Sequence, residues 1–275
     1  MSFQLTGISD EAGATIEEQI RAHRELGWTH LELRKLDGEQ VALLPEERCR
    51  ELAATIADAG LGVAGLGSPV ANGARKITDP FEQSLEELAS AMRNAAILGT
   101  DQIRVMTYPN DGLSEADWQS ETVKRLRELG RRAADAGIFL LVENCSGWAA
   151  STPDNFAKFF EMVNLPSVRA VYDTGNPASH HAGPARMSEW FAAAQPHLRH
   201  VHIKDHTGCA EGITPKHLWP GEGVCRVRET LETLAASGYD GFISIEPHLG
   251  VHPDCGNRFE TYVEYGRRLQ ALLTA

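Results

Sequence analysis

Four side chains able to hold a metal ion or move a proton sit at the ends of four consecutive apolar runs. They are Glu143 in Phe139-Leu-Leu-Val-Glu-Asn, Asp173 in Val168-Arg-Ala-Val-Tyr-Asp, His202 in His200-Val-His-Ile-Lys-Asp and Glu246 in Phe242-Ile-Ser-Ile-Glu-Pro. One acid in such a place is weak evidence, because an acid after a strand often only caps the next helix. Four in succession are harder to dismiss. The acids directly follow Val142, Tyr172 and Ile245, so their side chains start inside the fold, where unpaired carboxylates are costly to bury. A divalent cation removes that cost. Three carboxylates and one imidazole suit Mn²⁺ best, with Co²⁺, Mg²⁺, Fe²⁺ or Zn²⁺ as the other ions such a set accepts. Such an ion is a Lewis acid for a substrate oxygen. No thiolate joins the set, which argues against a structural zinc site.

The elements that must bring these side chains together read as short buried strands over 4–8, 30–36, 62–68, 102–108, 139–144, 168–173, 200–205 and 241–247. Helical spacing fills the gaps: Leu85, Leu88, Met92 and Ala95; Val123, Leu126 and Ala133; Val227, Leu231 and Leu234; and a closing helix with Phe259, Tyr262, Val263, Leu269 and Leu272. Gly27, Gly60, Gly99, Gly137 and Gly238 stand where helices should end, and Thr152-Pro153-Asp154 where one should start. Strictly alternating strands and helices over this length predict an α/β fold, a (β/α)₈ TIM barrel forming a single domain over residues 1–275. Parallel neighbouring strands would then gather the four side chains at one rim. A doubly wound sheet is the rival, and Gly60, Gly62 and Gly65 do spell GxGxxG. That fingerprint needs a strand before it and a helix after it. Here the order is reversed, so the glycines read as a helix cap and a glycine-rich strand.

Bulk properties narrow the partners. The 275 residues are 42% hydrophobic and 23% charged, with a formal charge of −12, the profile of a globular protein that buries a core without staples. The charge disfavours nucleic acid and acidic membranes, without excluding a local basic pocket. Cys49, Cys145, Cys209, Cys225 and Cys255 are scattered without CxxC spacing, against a disulfide framework or zinc knuckle. The start Met-Ser-Phe-Gln-Leu-Thr-Gly lacks a signal-peptide pattern. No run approaches the roughly 18 apolar residues of a membrane span. The expectation is a cytoplasmic protein with a small-molecule partner, as a monomer or a homo-oligomer.

The strand ends Val142-Glu143-Asn144, Tyr172-Asp173-Thr174-Gly175-Asn176, His200-Val-His202-Ile-Lys204-Asp205 and Ile245-Glu246-Pro247-His248 resemble the xylose isomerase-like barrel superfamily. Within it they are most similar to the sugar isomerase/epimerase branch that includes the ketose 3-epimerases. Gly221-Glu-Gly223, and Gly238-Tyr-Asp-Gly-Phe-Ile-Ser-Ile-Glu246-Pro after a helix, share that branch's look, and the resemblance covers essentially the whole chain. It implies that Glu143, Asp173, His202 and Glu246 hold the metal. It also implies that Glu143 and Glu246 flank the reacting carbon, one removing the proton beside a carbonyl to leave a metal-bound enediolate and the other returning it. The metal neutralises charge growing on oxygen, and placement makes weak carboxylate bases effective. The chain departs from the pattern at Asn176, where the family often has His, and at Gly208, where ketose epimerases carry Arg. Lys204 is a substitute cation. These departures bear on the substrate, not on the metal.

Further candidates surround the four. Glu32 and Arg34 share one face of strand 2 by two-residue alternation, as an internal ion pair or with Arg34 on substrate. Asp10 and Glu11 follow strand 1, and at least one should cap a helix. Trp148 either walls the sugar site or anchors its loop. His180 and His181 form a solvated loop pair or a lid. His248 could orient Glu246, and Asn176 could bond a sugar hydroxyl. Cys145 and Cys209 fall near the pocket with no assigned role.

Three other functions compete with the isomerase or epimerase. The same base and metal could eliminate, giving a dehydratase or lyase on an inosose or 3-keto-glycoside. An apurinic endonuclease shares the barrel but needs three metals and extra histidines, where this chain has Arg34, Ser68 and Asn176. A non-catalytic sugar-binding module would not need paired glutamates. A phosphorylated substrate would want a cradle after strands 7 and 8, but Gly221-Glu222-Gly223 carries an acid and only Lys204 and Lys216 are near. A non-phosphorylated sugar fits better.

Overall fold

The computed structural model describes residues 2–179, 186–208 and 215–274. His180, His181 and Cys209 lie outside the described residues. Eight parallel strands form the barrel: β1 (Gln4–Gly7), β2 (His30–Leu33), β3 (Gly62–Gly67), β4 (Gln102–Thr107), β5 (Phe139–Gly147), β6 (Val168–Asp173), β7 (Leu198–Ile203) and β8 (Phe242–Ile245). Their spatial order is β1-β8-β7-β6-β5-β4-β3-β2. A parallel bridge between Ile8 and Glu32 joins the two ends of that order. The helices are α1 (Ile16–Glu25), α2 (Glu46–Asp58), α3 (Phe81–Leu98), α4 (Glu115–Asp135), α5 (Pro153–Val163), α6 (Met187–Ala194), α7 (Val227–Ser237) and α8 (Arg258–Thr274), with a short helical turn at Asn176–Ser179. This is the (β/α)₈ barrel that the alternation predicts.

Local chemistry sets the boundaries. Gly99 and Gly238 end α3 and α7 in the left-handed conformation, at φ of 72° and 73°, where a side chain would be strained. The Thr152 hydroxyl accepts the Asn155 amide at 3.0 Å, with Pro153 at the first helical position of α5. Gly60 ends α2 and Gly62 opens β3, so the GxGxxG spelling is a cap and a strand. Asp10 and Glu11 cap nothing among the described α-helices. They lie in a short 3-10 turn, while Thr15 and Glu18 form the capping box of α1.

The wall between strands and helices is apolar, with Leu31, Leu33, Val105, Leu140, Ala170, Val201 and Ile243 at or near zero exposure. Polar groups are buried there too. His23 is fully buried beneath α1, with Nδ1 2.9 Å from the Gln19 carbonyl and Nε2 3.4 Å from the Tyr262 hydroxyl. Burial, only partly offset by backbone hydrogen bonds, lowers its pKa to about 4. Such a group stays neutral in the folded state while the unfolded chain takes up a proton below about pH 6.5. Stability should therefore fall as pH drops from about 6.5 to about 4, by up to about 3 kcal/mol from this residue. Urea unfolding of wild type and His23→Gln at pH 7 and pH 5 checks this. Identical pH slopes in the two proteins would remove His23 as the cause.

Among the described residues no helix is long and apolar enough to cross a membrane.

Candidate metal centre and active site

Strand register brings the four side chains to one rim. Asp173 is paired with His202 across β6 and β7, Ser244 with His202 across β7 and β8, and Glu143 with Val171 across β5 and β6. Glu246 follows β8 and continues the ladder by donating its amide to the Ile203 carbonyl at 2.9 Å. Side chains then take over the pairing. The Asn144 side chain accepts the Asp173 amide at 2.7 Å and donates to the Asp173 carbonyl at 3.1 Å. The Thr174 hydroxyl donates to the Lys204 carbonyl at 2.7 Å and accepts the Lys204 amide at 3.0 Å. These two clamps fix the strand ends that carry the site.

Glu143, Asp173, His202 and Glu246 each present a ligand atom within 4.8 Å of the others, and all four are buried. Asp173 Oδ1 accepts the amides of Gly175 and Asn176 at 2.8 and 2.7 Å. His202 Nε2 is 3.0 Å from Glu32 Oε1, which turns Nδ1 toward Glu143 and Glu246 at 3.8 and 3.6 Å. That buried Nδ1 has no hydrogen-bond partner among the described residues, an unusual state for a buried polar atom. An orphaned imidazole nitrogen facing three buried carboxylates is the arrangement a divalent cation fits.

Cations hold these carboxylates together. Lys204 Nζ is 3.1 Å from Asp173 Oδ2 and 3.4 Å from Glu246 Oε2. Burial raises the Asp173 pKa to about 6, with Lys204 opposing it. Burial works the same way on Glu143 and Glu246 but is outweighed. Glu143 is held below its ordinary value by His202 and Arg104, and Glu246 well below by Lys204, His202 and His248. Both glutamates are therefore ionised at neutral pH and able to accept a proton.

A cavity of about 300 Å³ opens above this cluster. Asn176, Lys204, Arg34 and His248 all line it. Asn176 donates from Nδ2 to Glu143 Oε1 at 2.9 Å, so it also steadies the Glu143 carboxylate. His248 stands 3.5 Å from Glu246 and 3.3 Å from Lys204 Nζ, in the left-handed backbone region at φ 53°. That conformation is costly for a non-glycine residue and is typically kept at functional positions. Cys145 also lines the cavity, and burial pushes its thiol up to about 12, which favours the protonated form.

Two expectations need correction. Trp148 is not among the cavity-lining residues; it is buried in the core, donating from Nε1 to Glu115 at 2.7 Å, because β5 runs on to Gly147 and carries the indole past the rim. Glu32 and Arg34 do not pair with each other. Glu32 lies between His200 and His202, at 2.9 and 3.0 Å. Arg34 grips Asp10 through Nε and Nη2 at 3.0 and 2.9 Å and reaches Glu246 at 3.3 Å. Arg104, which the sequence reading passed over, also lines the cavity, 3.4 Å from Glu143. Its signal was a charge inside the buried run Gln102-Ile-Arg-Val-Met-Thr.

The model of one family, the xylose isomerase-like TIM barrel, matches residues 20–264. The chain belongs to that family. Inosose dehydratase from Klebsiella pneumoniae (strain 342) is 27% identical over 164 residues, 55% of this chain and 54% of that protein. The chain thus spans about half the length of the curated relatives it matches. Among solved structures, a xylose isomerase-like TIM barrel protein from Mycobacterium smegmatis in complex with magnesium shares the fold at TM-score 0.70 and 21% identity, covering 99% of this chain and 97% of that one. D-psicose 3-epimerase from Clostridium cellulolyticum H10, solved with D-tagatose, does so at 0.70 and 17%, with the same coverage. At these identities the two structures speak for the family's fold alone.

Proposed function

We propose that this chain is a divalent-metal-dependent isomerase or epimerase acting on a sugar or keto-sugar. The observation that carries this is the orphaned Nδ1 of His202 among the carboxylates of Glu143, Asp173 and Glu246. Those four residues would hold the ion, with Mn²⁺ first among the candidates and Mg²⁺ or Zn²⁺ next. When bound, the ion polarises the substrate carbonyl and lowers the barrier to losing the neighbouring proton. Glu143 and Glu246 are both kept ionised: one would take the proton from one side of the carbon, and the other, after picking up a proton from solvent through the cavity, would deliver it to the opposite side, the first then releasing its proton to solvent. Asn176 fixes Glu143, and Arg34 with His248 fixes Glu246. The relative named fructoselysine 3-epimerase, 23% identical over 123 residues, agrees with this reading.

A second reading is favoured by the relative named inosose dehydratase and by Lys204. The Lys204 ammonium touches Asp173, Glu246 and His248, where it could give a proton to a departing hydroxyl. A glutamate would take the C–H proton, the C–O bond would break as the C=C bond forms, and the hydroxyl would leave as water.

Purified protein with Mn²⁺ should be offered ketoses, inososes and 3-keto-glycosides in deuterated water. The expected result is deuterium at a single carbon of recovered sugar, lost on chelation and restored by adding metal. A dehydrated product would select the second reading. Neither exchange nor elimination with any of these substrates would remove both.

A further inference from the structure

The cavity over the metal-ligand cluster is electrically lopsided. Four cations, Arg34, Lys35, Arg104 and Lys204, line it against two carboxylates, Glu143 and Glu246, in a chain whose formal charge is −12. The cations are not equally committed. Arg34 is gripped by Asp10 through two nitrogens, and Lys204 sits among Asp173 and Glu246.

Arg104 has no such partner. Its side chain is 9% exposed, and its one ion pair among the described residues runs at 3.4 Å from Nη1 to Glu143. Its Nε is buried without a hydrogen-bond partner among those residues. Glu143 belongs to the ligand cluster, so a bound cation would compete for the same carboxylate charge. A buried guanidinium left with so little compensation is costly unless an anion joins it. The neighbouring wall offers no carboxylate: the cavity-lining residues beside Arg104 from the ends of β2 and β3 are Arg34, Lys35, Ser68 and Asn72. Gly67 keeps that wall open. A Cβ there would stand 3.1 Å from Arg104 Nη2 and 3.3 Å from Arg34 Cβ.

We propose that the substrate carries a carboxylate, which Arg104 receives on the wall of the cavity beside Arg34 and Lys35 while the carbonyl end meets Glu143 and Glu246. This rests on the keto-sugar reading above and narrows it to sugar acids. The planar guanidinium fork matches a carboxylate's two oxygens.

The test is calorimetric titration of Mn²⁺-loaded protein with D-fructose, with D-fructuronate (the same ketose with its far terminal carbon oxidised to a carboxylate) and with D-fructose 6-phosphate. D-tagatose and D-tagaturonate form a second neutral and acidic pair. The acid should bind at least about tenfold tighter than its neutral ketose, as a charge-assisted hydrogen bond implies, and tighter than the phosphate ester. Arg104→Gln should bring the neutral-to-acid ratio of Kd values close to one. Arg104→Lys, which keeps the charge but not the fork, should retain part of it. Equal binding of acid and neutral ketose by wild type, or a preference that survives in Arg104→Gln, overturns the inference and leaves the keto-sugar reading standing. Tightest binding by the phosphate ester overturns the carboxylate in favour of a phosphorylated sugar. Binding of no member of either pair overturns the sugar-acid inference, and the keto-sugar reading is then decided by the exchange experiment above. The wild-type titration decides the matter even if the glutamine variant fails to fold.

Discussion

Glu246→Gln should lower the exchange of substrate protons by on the order of 10³-fold, the usual size of a lost acid–base group. Glutamine keeps the shape of the side chain and can still meet Arg34, 3.3 Å from Oε1, but it cannot accept a proton. It also removes a charge that Lys204 and His248 face. The loss therefore has two sources, weaker metal binding and a missing base, which a metal titration separates. If raising Mn²⁺ restores the wild-type rate, Glu246 serves as a ligand only. If the rate stays low at saturating metal, the carboxylate itself moves the proton. Full exchange without added metal would sink the assignment. Glu143→Gln should behave alike, with the added loss of the acceptor for Asn176 Nδ2.

Glu32→Gln should weaken metal binding about 10- to 100-fold, although Glu32 is not one of the four ligands. Glu32 is buried across the barrel from β7 and accepts from two imidazoles, His200 Nε2 at 2.9 Å and His202 Nε2 at 3.0 Å. Burial alone would raise its pKa, but His202 and His200 outweigh burial and hold the carboxylate well below its ordinary value. The consequence for His202 is geometric. With Nε2–H committed to Glu32, the ring cannot rotate, and Nδ1 is the nitrogen left to face the three carboxylates. Glutamine at 32 presents an oxygen to one imidazole and an amide to the other, so the tautomer and the ring angle are no longer fixed. Competition against a chelating dye measures the change directly, without reference to turnover. An unchanged metal affinity would make the Glu32 contacts purely structural. Glu32→Ala should in addition cost about 3–5 kcal/mol of stability, as breaking a buried ionic contact does, read from urea unfolding of the metal-free protein.

The barrel was legible because its signals are local. Runs such as Phe139-Leu-Leu-Val and Phe242-Ile-Ser-Ile cover both faces of a buried strand, and glycine follows α1, α2, α3, α4 and α7 where the chain must turn. The four rim residues were legible for the same reason, since a polar residue ending an apolar run shows its position along the strand. What the sequence hid was partnership across the barrel. Glu32 and Arg34 lie two apart and face the same way, so spacing suggests an ion pair; closure instead carries Glu32 to His200 and His202, and Arg34 to Asp10 and Glu246. Arg104 was hidden because a lone arginine in a strand has no spacing to betray it. Trp148 was misplaced because β5 extends to Gly147, and the length of a strand past its last apolar residue is set by its neighbours.

The stitching at Asn144 and Thr174 has a consequence for how such a protein changes over time. Each side chain bonds to the neighbouring strand's backbone through both of its polar functions or both roles of its hydroxyl. Whatever the chain does beyond those points, the rim beneath is already tied off. Loops of different length or character can be exchanged above it without disturbing the floor. Variation in those loops would then change what enters the cavity while leaving the stitched strand ends in place.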